Sequence, residues 1–78
     1  MPEISDTAKT VLDFEGLRWK HAGAKDAEIR ERFKVSPTIY YRRLAVLIHS
    51  PEALTYAPTT VRRLLRLEEA RRRARAPR

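Results

Sequence analysis

Seventy-eight residues with no cysteine and a formal charge of +7 describe one small basic domain, without disulfides and without the thiolate ligands of the usual structural zinc sites. The first residues are acidic and include no apolar run, so no signal peptide and no membrane span are expected. A domain of this length buries only about 60% of its unfolded-chain surface, which makes its stability marginal.

The first helix is expected from about Asp6 to about His21, stopping at Ala22-Gly23. Ser5-Asp6-Thr7 supplies capping side chains and an acid near the positive end of the helix dipole. At about 100° per residue, Val11, Leu12, Phe14, Leu17 and Trp19 cover more than half of the circumference. Such a helix packs against more than one neighbour. Glu15 falls inside that apolar arc, where a carboxylate is either paired or drawn to the rim; Arg30 is the first expected partner and Arg43 the second. Nothing equips Glu15 for acid–base catalysis, because no second carboxylate, serine nucleophile or suitably placed histidine accompanies it.

A second helix is expected from Lys25-Asp26 to Phe33, with Ile29 and Phe33 stacked on one face. Lys34-Val35 then leads to Ser36, which suits an N-cap, and Pro37, which suits the first helical position. The third helix runs from Pro37 to about His49. Tyr40, Leu44, Leu47 and Ile48 face the core, and Thr38, Tyr41, Arg42 and Ala45 face away. Two helices joined by about three residues form the pattern of a helix-turn-helix. The turn of that motif needs one residue at positive φ, a place usually taken by Gly and here by Lys34.

Ser50-Pro51-Glu52 opens one short turn through Leu54, and Tyr56-Ala57-Pro58 reverses the chain. A last helix starts at Pro58 or Thr59 with Val61, Leu64 and Leu65 inward. Residues 1–67 are read as the helix-turn-helix domain, and residues 68–78 as a basic tail that loses its helix towards the end. The charge is concentrated there. Residues 1–58 carry nine Lys or Arg against eight Asp or Glu, whereas residues 59–78 carry eight Arg against Glu68 and Glu69. Arg forks suit phosphate, so a polyanion is the partner this distribution implies, with a solubilising tail as the plainer alternative.

No cofactor is expected. His21 and His49 sit on different helices without metal-ligand spacing, and the two glycines, Gly16 and Gly23, build no phosphate loop. The final helix has too short an apolar face, without Trp or Phe, for a membrane surface.

Asp13-Phe14-Glu15, Trp19-Lys20, Ala22-Gly23-Ala24-Lys25, Ile29-Arg30-Glu31-Arg32-Phe33, Tyr40-Tyr41, Leu47-Ile48 and Pro51-Glu52-Ala53-Leu54 together resemble a family of short actinobacterial helix-turn-helix proteins catalogued as a domain of unknown function. The resemblance covers about Val11 to the C-terminus. It implies an all-helical, DNA-binding-type domain and brings no established activity. Members of that family usually carry Gly where Lys34 stands and an acidic cap where Ala57 stands.

The expectation is therefore an all-α bundle of three to four helices containing a helix-turn-helix, with an Arg-rich C-terminal helix or tail. Its function is expected to be that of a non-enzymatic DNA-binding protein, a transcriptional or nucleoid regulator in the cytoplasm, acting as a monomer or weak homodimer. Thr38, Tyr41 and Arg42, with Arg43 beside them, would meet base edges or flanking phosphates, and Ser36 a backbone phosphate. Arg71, Arg72, Arg73 and Arg75 would add sequence-independent phosphate contacts. The alternative is a protein-interaction module that docks on the transcription machinery or another protein partner.

Overall fold

The computed structural model describes residues 4–17, 19 and 21–75; Lys20, cited above, lies outside them. Five helices follow one another: α1 (Asp6–Glu15), α2 (Ala22–Phe33), α3 (Pro37–Leu47), α4 (Pro51–Tyr56) and α5 (Pro58–Arg75). Three of them start as their serines dictate. The hydroxyl oxygens of Ser5, Ser36 and Ser50 accept from the N–H groups of Ala8, Ile39 and Ala53 at 3.1, 3.3 and 3.1 Å. Each bond satisfies one of the orphan donors of a helix N-terminus.

The first helix is shorter than expected. It ends at Glu15 with Gly16 as its C-cap, and Ala22-Gly23, expected to stop it, instead open α2. Gly is about 1 kcal/mol worse than Ala within a helix, and ending α1 there frees Trp19 to pack on Phe14, ring centroids 5.2 Å apart. Leu17 is consequently an exposed residue and not a core one.

Phe14 is the centre of the core. It meets Phe33 edge-on at 5.4 Å and Tyr40 at 5.9 Å, and joins Leu12, Ile29, Leu44, Ile48, Ala53 and Val61 in one buried cluster. Thus Tyr40 and Leu44 of α3, and Ile48 that caps it, point inward as their spacing predicts, with Leu47 partly buried. Helix α2 packs on α3, and α1 on α4 and α5. Tyr56 ties α4 to α1, its hydroxyl donating to the Asp13 carboxylate at 2.9 Å.

The turn between α2 and α3 has the geometry its sequence position demands. Lys34 caps α2 in the left-handed region, at φ 57 and ψ 32, and its N–H donates to the Arg30 carbonyl. A non-glycine residue there costs on the order of 1 kcal/mol or more, slightly more than the entropy Gly loses on folding. Lys34→Gly is therefore expected to be neutral or to stabilise by up to about 1 kcal/mol, read as an unchanged or raised Tm. A clear fall in Tm would contradict the strain argument.

The basic segment after Leu67 begins as helix, as expected, and residues 76–78, where the helix was expected to be lost, lie outside the described residues. No break occurs at residue 67: α5 continues through Arg75. Acid–arginine pairs within its own last turns support it. Arg72 meets Glu68 and Glu69 at 3.3 and 3.0 Å, and Arg73 meets Glu69 at 3.3 Å. Pairs at these spacings stabilise a helix by about 0.2–0.5 kcal/mol each, and arginines in the last turn suit the negative end of the dipole. Among the described residues, no helix is long and apolar enough to cross a membrane.

Candidate nucleic-acid interface

The outward face of α3 follows directly from its inward one. With Tyr40, Leu44 and Ile48 held in the core, Thr38, Tyr41, Arg42 and Ala45 are left exposed on the other side, as the helical period requires. Arg42 makes no ion pair among the described residues, so its five donors stay available. Ala45 adds no bulk, which leaves this face open to close approach.

The remaining sequence-derived candidates separate into distinct surroundings. The Ser36 oxygen is occupied as the α3 cap, while its O–H can still donate outward. Arg43 does not share the face of Arg42; it flanks a groove between α1 and α3 that Val11, Phe33 and Leu47 also line. Arg71 and Arg75 border a groove with Ala45 of α3 and its C-cap Ile48, whereas Arg72 and Arg73 are held by Glu68 and Glu69.

A buried polar network fixes α3 from behind. Glu15 is only 3% exposed. Its carboxylate accepts from the Tyr40 hydroxyl at 2.5 Å and from Lys25 Nζ at 3.0 Å. Burial, reinforced by that carboxylate, pushes the Tyr40 phenol far above its usual pKa, so it remains a donor. The expected partners of Glu15 were Arg30 and Arg43, and neither reaches it: Arg30 is exposed on α2 while Ile29 takes the inward place. Extending α1 past Gly16 misjudged where α2 begins, and so which of its cations faces Glu15.

Two residues with a part in this surface have no local sequence signal. Lys25 lies over the Tyr41 ring, 5.3 Å from its centroid, a cation–π contact of about 0.5–1 kcal/mol. Tyr41 also stacks edge-on against Tyr40 at 5.1 Å, so its ring is held on two sides while 40% of the residue stays exposed. Arg63 of α5 donates to the Glu15 carbonyl, one of the carbonyls that the end of α1 leaves unpaired. Both contacts depend on how helices far apart in sequence come together.

No curated protein and no solved structure matches the chain. A family profile does match, from residue 3 to residue 76, a span that contains all five described helices. The chain belongs to the family described as Protein of unknown function (DUF3263).

Proposed function

We propose that the chain is a small DNA-binding protein, a transcriptional or nucleoid regulator that lays α3 in the major groove of double-stranded DNA. One observation carries this reading: Thr38, Tyr41 and Arg42 stand together on the exposed face of a helix fixed from behind and preceded by a left-handed turn residue. A B-form major groove, about 12 Å wide, admits an α-helix. Arg42 suits the acceptor edge of guanine, Thr38 suits either strand's polar edges, and the Tyr41 hydroxyl reaches a base or phosphate. Ser36 and Thr38, at the N-terminus of α3, suit a backbone phosphate. The arginines of α5 add sequence-independent attraction.

Docking on a protein partner is the second reading, and Val46 favours it. This residue is 74% exposed on α3, with Ile39 one heptad before it on the same stripe. Neither apolar side chain can hydrogen-bond a phosphate or a base edge.

Fluorescence anisotropy of a labelled random duplex at 50 and 200 mM salt separates the two. Four phosphate contacts correspond to a fall in affinity of roughly 100-fold between those concentrations, and a fall of that order is the expected result. Absence of duplex binding at 50 mM salt would remove the DNA reading and leave the docking one.

A further inference from the structure

We infer that Arg71 and Arg75 form a fixed clamp for the DNA backbone phosphates beside α3, while Arg72 and Arg73 serve the helix that carries them. This rests on the DNA-binding reading and assigns unequal roles to four arginines that their sequence leaves equivalent.

The stripe of α5 that packs on the core runs through Val61 and Leu64. Arg71 and Arg75 stand at i+7 and i+11 from Leu64 and so continue that stripe. There the helix passes the end of the apolar core, and the stripe changes from leucine to arginine. Its position relative to α3 is unchanged: Arg71 and Arg75 line one groove with Ala45 and Ile48, and Arg71 also borders the groove that contains Tyr41. Two exposed guanidinium groups are thereby held along the Tyr41–Ala45 edge of the face proposed to enter the DNA. A helix lying in the major groove has a phosphate backbone along each edge, and an Arg fork matches phosphate bidentately.

Charge pairing divides the four residues in the same way. Among the described residues Arg71 and Arg75 have no carboxylate partner, while Arg72 and Arg73 hold Glu68 and Glu69. Glu68 lines the groove as well, and its negative charge would oppose a phosphate. Arg72 and His49, at 3.3 and 2.9 Å, engage that carboxylate. Arg72 thus contributes by masking Glu68 and not by meeting DNA itself.

The test compares variants of the full chain that lose the same charge: Arg71→Gln with Arg75→Gln, and Arg72→Gln with Arg73→Gln. Each is titrated against a random 20-base-pair duplex across a salt series, with helicity checked by circular dichroism. At about 0.9 per phosphate contact, the first pair is expected to shrink the salt slope of log affinity by nearly 2, and the second by less than about half a unit. A third variant keeps every arginine but inserts two alanines between Glu69 and Ala70, turning the following residues by about 200° about the helix axis. In it an alanine takes the register of Arg71 while the original Arg73 takes that of Arg75, so it is expected to lose about half as much slope as the first pair. Equal losses from the two pairs, or a full slope in the insertion variant, would overturn the clamp while leaving DNA binding in place. A parent chain that binds no duplex would overturn both.

Discussion

Replacing Lys25 by methionine is expected to cost about 3 kcal/mol and to lower Tm by roughly 10–20 °C for a domain of this size. The total stability of such a chain is only on the order of 4–12 kcal/mol at 0.05–0.15 kcal/mol per residue, so the loss would be a large fraction of it. The reason lies in what the substitution leaves behind. The Glu15 side chain is 2% exposed against 20% for Lys25, and without the ammonium group its carboxylate keeps only the Tyr40 hydroxyl. An uncompensated buried charge is what makes half of a broken pair so costly. Adding Glu15→Gln to Lys25→Met should therefore restore at least about 1 kcal/mol, since a neutral amide can still accept from Tyr40. Arg30→Ala and Arg43→Ala, at exposed positions, should each stay within about 0.5 kcal/mol of the parent. Thermal melts of the five proteins decide the matter. A Lys25→Met variant as stable as the parent would mean that the pair does not hold α1 and α2 together.

That network also marks where sequence reasoning stops. The starts of α1, α3 and α4 were legible because a serine cap acts on an N–H only three residues away. The left-handed Lys34 was legible because a three-residue turn between helices leaves little choice of backbone. The inward face of α3 followed from helical period alone. By contrast, the partner of Glu15 depends on where α1 ends. Assuming helix through Gly16 placed Leu17 and Trp19 on a wheel they do not occupy, and brought the wrong cations inward. How far α5 continues past Leu67 was less legible, for another reason. Apolar spacing fades after Leu67, but the supports of α5 there are Glu–Arg pairs three and four residues apart, which a search for a buried stripe passes over. Of the candidate DNA contacts, the exposure of Thr38, Tyr41 and Arg42 was legible. The separation of Arg43 from them, and of Arg71 and Arg75 from Arg72 and Arg73, required the packed helices.

Arg42→Ala is expected to weaken discrimination between DNA sequences by about 1–3 kcal/mol, roughly 5- to 150-fold, if its guanidinium holds a guanine edge bidentately. Its effect on the salt slope should be one unit or less. Truncation before Arg71 should do the opposite: the slope falls, and preference among sequences survives. The contrast has a geometric origin. Arg42 sits two residues after the buried Tyr40 and two before the buried Leu44, so its Cα is fixed relative to the core and its reach is directed outward. Beside it, Tyr41 is braced by Tyr40 and by the Lys25 ammonium, which limits the entropy lost when the ring is ordered against DNA. Arg71 and Arg75 would, on the DNA-binding reading, meet a backbone that is alike for every sequence, so losing them removes attraction and not discrimination. Selection from a randomised duplex library, followed by competition anisotropy on the enriched and scrambled sequences, measures both quantities for each variant. Should Arg42→Ala and Tyr41→Ala leave affinity and preference unchanged while the parent binds duplex, α3 is not the reading element. The exposed stripe of Ile39 and Val46 would then be the part of α3 to examine as a protein-docking surface.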